Sequence, residues 1–131
     1  MSQTMTQTSS PINAAWPCQV PAPGTRDWER AAARWLRDLL PARYAGYPTL
    51  TRHPVLLARH AQIQLQHEIR AVRVALRTSR AELPGLGVAE TIIESSIRMY
   101  ATELEQLNRL ACGVRLITEA LLKDGGAQRW R

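Results

Sequence analysis

Two long stretches of apolar residues at heptad spacing constrain the fold of this chain more than any other feature. The first runs from Val55 to Leu83 and the second from Ile93 to Leu121, with mostly apolar residues separated alternately by three and four positions and with Gln62, Ser79 and Thr118 as polar exceptions. This spacing places a continuous apolar stripe along one side of an α-helix. A helix of about 30 residues is about 45 Å long, so its stripe needs an equally long partner. The sequence therefore predicts two long helices, over residues 54–83 and 88–123, that pack together as in a coiled coil.

The residues between these stretches predict that the chain reverses direction. Pro84, Gly85 and Gly87 end the first long helix and favour a turn. Because the link is short, the two helices form an antiparallel hairpin. Opposite charges support this orientation, since arginines at the end of one helix would face glutamates at the start of the other. These residues are Arg70, Arg73, Arg77 and Arg80, and Glu90, Glu94, Glu103 and Glu105.

A shorter amphipathic helix is predicted over residues 26–40. Thr25 can cap its first turn, and Pro41 marks its end. Its apolar residues share one face, which includes Trp28 and Trp35, and arginines occupy the other side. We expect both tryptophans to fill the core. The predicted fold is therefore an all-α three-helix bundle over residues 25–124, with a connecting loop over residues 41–52.

The chain ends differ in composition from this bundle. Residues 1–24 are rich in Ser, Thr, Gln and Pro, which predicts a disordered arm. Trp16 is the one residue of the arm that could anchor a contact, either as a docking motif or by packing against the protein's own helices. Residues 125–131 follow the last predicted helix with two glycines and carry two arginines and a tryptophan, which predicts a flexible basic tail.

Length and composition exclude several protein classes. A chain of 131 residues fits one domain, and 45% hydrophobic with 21% charged residues excludes a protein that is disordered throughout. Two cysteines do not indicate a disulfide framework. We find no signal peptide and no apolar run long enough to cross a membrane, so we expect a cytoplasmic protein with reduced thiols and do not expect a membrane partner.

The net charge is +6, from 17 basic and 11 acidic residues, with a pI near 10.3. All but one of the basic residues are arginine. This bias is typical of a GC-rich bacterial source, and it also favours acidic partners such as nucleic acid. An anionic partner would meet a stripe of guanidinium groups on the first long helix. The candidate residues are Arg59, Arg70, Arg73, Arg77 and Arg80. The alternative is that glutamates of the second long helix neutralise this stripe.

Catalytic and metal chemistry are not indicated. His53, His60 and His67 recur every seven residues, but a rise of about 10.5 Å separates neighbouring imidazoles too far to share a zinc ion. Cys112 lies beside the apolar stripe and is interpreted as a small buried residue, next to Gly113, which permits a close approach of helices. No phosphate-binding glycine loop or nucleophile–base pattern is present. We therefore expect a protein that is not an enzyme and needs no cofactor.

The apolar stripe of the second long helix is wider than one partner helix can cover, which predicts a face for another chain. That face comprises Leu107, Leu110, Val114, Ile117 and Leu121. We expect a homodimer with a four-helix core. Two functions remain open. The first is a non-enzymatic interaction or regulatory module with an unidentified protein partner, and the second is a nucleic-acid-binding protein that contacts the phosphate backbone.

Overall fold

The computed structural model describes residues 15–125, and all regular structure in this range is helical. Its α-helices are α1 (Trp28–Asp38), α2 (Pro48–Thr51), α3 (Pro54–Glu82) and α4 (Glu90–Gly125). Two 3-10 helices lie at Ala42–Gly46 and Leu83–Leu86. The long helices α3 and α4 pack against each other along an antiparallel hairpin, and α1 packs mainly on α3. The predicted all-α bundle is confirmed. No helix in the described range is long and apolar enough to cross a bilayer.

The ends of the long helices lie close to their predicted positions. Pro54 begins α3, where its fixed φ and missing N–H suit the first turn. At the other end, the 3-10 helix at Leu83–Leu86 forms the link to α4. Gly87 closes this link with φ of 82°, a left-handed conformation that glycine adopts without a steric cost, and its N–H donates to the Pro84 carbonyl oxygen at 3.1 Å. The turn chemistry therefore sets the antiparallel arrangement.

The hydrophobic core lies at the end of the hairpin where α3 begins and α4 ends. Here α1 covers the paired helices, and Leu36 of α1 is fully buried together with Leu57 of α3 and Ile117 of α4. Ala32, Ala58 and Ala61 are also fully buried, and small side chains let helices approach closely. Burial of this kind supplies most of the stability of helical domains.

The segment before α1 differs from its prediction. Residues 15–24, part of the predicted disordered arm, pack against the bundle: Trp16 lies 6.1 Å from Trp28 between ring centroids, and its Nε1 donates to the Val20 carbonyl oxygen at 2.8 Å. Val20 is itself buried. Trp16 therefore packs on its own protein, one of the two alternatives for this residue, because two large apolar rings bury each other's surface. Residues 1–14 and the tail from 126 onward lie outside the described residues.

The start of α1 also differs from its predicted position. Thr25 does not cap the helix, since its hydroxyl donates to the Ala22 carbonyl oxygen in the preceding turn. Asp27 occupies the cap position instead, with a left-handed φ of 64°, and makes no side-chain cap bond. Aspartate is among the few residues that tolerate this conformation. The helix consequently begins at Trp28, two residues later than predicted.

The connection between α1 and α3 is more ordered than a plain loop. It contains the 3-10 helix at Ala42–Gly46 and the single turn α2. Tyr44 is half-buried and meets the ring of His60 edge-on, with 5.0 Å between centroids, whereas Tyr47 is exposed. The connection thus packs on the side of α3 through one of its two tyrosines.

Candidate functional site

The arginine stripe on α3 is the first predicted site. All five arginines are exposed, and from Arg70 to Arg80 they follow one side of the helix for about 15 Å. Arg80 forms a two-pronged ion pair with Glu94 of α4, with distances of 3.2 Å from Nε to Oε2 and 2.9 Å from the terminal nitrogen to Oε1. Here the predicted pairing of opposite charges across the hairpin is confirmed.

The rest of the stripe is less neutralised than the predicted charge pairing implies. No described carboxylate forms an ion pair with Arg70, Arg73 or Arg77. A guanidinium nitrogen of Arg70 lies 3.5 Å from Nδ1 of His67, one turn earlier on the same helix. The stripe therefore presents three solvated guanidinium groups, and its ion pair with α4 lies at the end nearest the turn.

The predicted partner face on α4 belongs to the core of the single chain. Leu107, Val114, Ile117 and Leu121 are buried, and Leu110 is half-buried. The prediction left them for a second chain because α1 is short. They are covered because α1 lies across this end of the hairpin and residues 15–24 pack beside it, with Ala15 and Pro17 close to Gly113. Any apolar partner face must lie elsewhere.

An exposed apolar surface lies in the half of the hairpin nearest the turn. This half comprises residues 70–104, and we call it the distal hairpin. Ile93 and Ser79 are its buried side chains, whereas four large apolar side chains are exposed. They are Val74 (43% exposed), Leu86 (75%), Ile92 (58%) and Met99 (54%). A further set is half-buried, comprising Val72, Leu76, Leu83, Val88, Ile97, Tyr100 and Leu104. Two helices alone cannot enclose an apolar stripe, so the distal hairpin retains apolar surface in contact with water.

The histidines do not come together. Nδ1 of His53 lies 2.6 Å from the carbonyl oxygen of Thr49, His60 packs on Tyr44, and His67 is exposed. No group of three His, Cys, Asp or Glu residues in the described range is arranged to hold a metal ion. Cys112 is half-buried and Cys18 is exposed, and both are free thiols.

A cleft that the sequence does not predict lies along the outer face of α1. The cleft has a volume of about 630 Å³ and lies between α1, the segment containing Gln19, and Leu110 of α4. Arg30 and Arg34, predicted only as part of the polar side of the helix, line it together with Trp35. Their spacing of four residues next to a tryptophan is visible in the sequence. The sequence does not show that Gln19 and Leu110 also line the cleft, because these residues are brought together by contacts across most of the chain.

Comparison with protein-family models, with curated proteins and with solved structures finds no match to this chain.

Proposed function

We propose that this protein is a non-enzymatic interaction module that acts through protein–protein contacts and assembles as a homodimer through its distal hairpin. The observation that carries this proposal is the exposure of Ile92 and Met99, two large apolar side chains of α4 in the distal hairpin. They are seven residues apart, which is close to two helical turns, so both side chains lie on the same side of α4. Together they form one exposed apolar row.

A second copy fits this surface in size and in charge. Packing two distal hairpins side by side gives four helices, an arrangement in which apolar stripes can be enclosed on all sides. The distal hairpin carries five arginines and four glutamates, so its net charge is small and both signs are available for contacts between copies. Homodimers of this kind are usually symmetric, with the same surface used on both chains.

The test is sedimentation-velocity analysis of the full chain between about 1 and 100 μM, a range that covers interfaces of moderate affinity. We expect the wild-type mass to approach twice 14.7 kDa as the concentration rises. The double variant Ile92→Glu/Met99→Glu should remain monomeric across the range, because it places charges in an apolar interface. Both residues are exposed in the single chain, so the variant should keep its helical circular dichroism spectrum.

A matched control separates the distal hairpin from general surface apolarity. Leu56 is a large apolar side chain that is exposed to 44%, compared with 54% for Met99, but it lies near the start of α3 and outside the distal hairpin. Leu56→Glu should dimerise like the wild type. A wild-type protein that stays monomeric at the top of the concentration range, or a Leu56→Glu variant that is as defective as the double variant, would refute the proposed dimer.

A second candidate function is favoured by the solvated guanidinium groups of Arg70, Arg73 and Arg77. Such a stripe can follow a phosphate backbone, and contacts to backbone phosphates carry little sequence information. Under this alternative, the protein would bind nucleic acid through the exposed side of α3.

Fluorescence anisotropy with labelled duplex DNA and single-stranded RNA distinguishes this alternative. Phosphate binding should weaken steeply as the salt concentration rises, because bound counterions are released, whereas an apolar contact should not. Arg73→Glu/Arg77→Glu should abolish such binding, and Arg109→Glu on the exposed side of α4 is the control. If no binding is seen at low salt, the nucleic-acid function is excluded and the interaction-module proposal stands.

A further inference from the structure

The cleft on α1 has the size of a binding site for a small molecule. Its volume of about 630 Å³ falls within the range of about 300–1,000 Å³ that is typical of such sites. Three separate parts of the chain form its walls: the segment before α1 through Gln19, α1 itself, and α4 through Leu110. A cleft formed by separate packed elements keeps its shape better than a patch on one helix.

The floor of the cleft is apolar and firmly held. Trp35 is 8% exposed, and its ring lies against α4 at Gly113, where a Cβ atom would come within 3.1 Å of Cη2 of the indole. Leu39 and Leu110 are half-buried beside it. The absence of a side chain at Gly113 lets the indole settle against the helix. An apolar body entering the cleft would therefore meet a preformed surface.

The rim of the cleft carries charges in a defined order. Along α1 it presents Asp27, then Arg30 and Arg34, and then Asp38, all with exposed side chains. Arg30 and Arg34 are one helical turn apart, and no described carboxylate forms an ion pair with either of them. Two arginines one turn apart therefore line the cleft, and a carboxylate precedes and follows them along the chain.

We propose that this cleft binds a small organic monoanion, a carboxylic acid with an apolar body. Guanidinium groups bind carboxylates through paired hydrogen bonds, and Arg30 and Arg34 offer two such groups. The apolar body would lie on Trp35, Leu39 and Leu110. Asp27 and Asp38 bring the formal charge of the rim to zero and repel a polyanion, so the site favours a single carboxylate over a phosphate chain.

This binding site is separate from the distal hairpin, so its test does not depend on the proposed dimer. The probe is octanoate, titrated into the isotopically labelled full chain and followed by amide and indole NMR shifts. Octan-1-ol serves as the neutral ligand of equal length. We expect octanoate to shift the Trp35 indole signal and amides near residues 30–39, and to bind at least about tenfold more tightly than octan-1-ol, the contribution expected of charge-assisted hydrogen bonds.

Variants of the two arginines test whether their guanidinium groups cause the preference for octanoate over octan-1-ol. Arg34→Gln and Arg30→Gln should each weaken octanoate binding by about fivefold to tenfold and leave octan-1-ol binding unchanged. Arg37→Gln, an exposed arginine of α1 that does not line this cleft, should change neither.

Three results would overturn the site. They are equal affinity for octanoate and octan-1-ol, octanoate shifts confined to the distal hairpin, and occupation of the cleft in the free protein by residues outside the range 15–125.

Discussion

The indole Nε1 of Trp28 donates a hydrogen bond to Oδ2 of Asp124 at 2.9 Å, joining residues 96 positions apart. Trp28 is the first residue of α1 and is almost fully buried, and Asp124 lies in the last turn of α4. The bond ties the start of the short helix to the end of the hairpin. It also satisfies the polar group of a large ring that otherwise lies in the core.

Removing this acceptor should destabilise the protein. Asp124→Ala leaves the Trp28 N–H without its partner, and we expect the free energy of unfolding to fall by about 1 kcal/mol. Asp124→Asn retains an acceptor oxygen and removes a negative charge from a helix C-terminus, where it is unfavourable, so its stability should equal or exceed that of the wild type. Urea unfolding measures both. If the two variants lose stability equally, the hydrogen bond is not the cause.

Gly113 should not tolerate a β-branched side chain. A Cβ atom there would lie 3.1 Å from the carbonyl oxygen of Ala15, 3.1 Å from the Trp35 ring and 3.4 Å from Pro17. We expect Gly113→Val to lower the free energy of unfolding by about 2 kcal/mol or more, because the added methyl groups overpack this contact. Ala101→Val, at an exposed position of the same helix, reports the intrinsic cost of valine and should lose less than about 1 kcal/mol. Thermal unfolding compares the two.

The two ends of the hairpin should respond differently to the same substitution. Ile117 is fully buried in the core beneath α1, whereas Ile97 in the distal hairpin is half-buried. Ile117→Ala should therefore cost about 2–5 kcal/mol and Ile97→Ala about 1 kcal/mol in the free energy of unfolding. The comparison is made by chemical denaturation at low micromolar concentration. Equal costs would show that the distal hairpin is as well enclosed as the core.

His60 is a polar residue whose replacement should stabilise the protein. Its Nε2 is buried and has no hydrogen-bond partner within the described part of the chain, while its ring meets Tyr44 edge-on. His60→Phe keeps an aromatic ring against Tyr44 and removes the unsatisfied nitrogen, so we expect a gain of about 1 kcal/mol. His67→Phe, at an exposed position of α3, should give no such gain. A loss of stability in His60→Phe would show that the imidazole is satisfied in solution.

Local patterns account for the hairpin and for part of the charged surface. Heptad spacing predicts α3 and α4, and Pro84 and Gly87 predict the turn between them. The arginine stripe is predicted as an exposed row because spacing along a helix fixes which residues share a side. The sequence predicts that these arginines pair with glutamates of α4, and the structure shows such a pair at Arg80. The cleft on α1 was missed, because a row of charges says nothing about which distant residues lie opposite.

The sequence by itself determined the three longer helices of this protein, their order and the antiparallel arrangement of the two long ones, since these depend on spacing and turn residues within a few positions of each other. The tertiary structure decided which half of the hairpin is covered. Apolar residues of α4 occur in both halves of the hairpin. The bond between Trp28 and Asp124 holds α1 at one end, where α1 and residues 15–24 cover Ile117. Met99, in the other half, stays exposed to water. Coverage of an apolar stripe depends on contacts between distant residues, which periodicity does not encode.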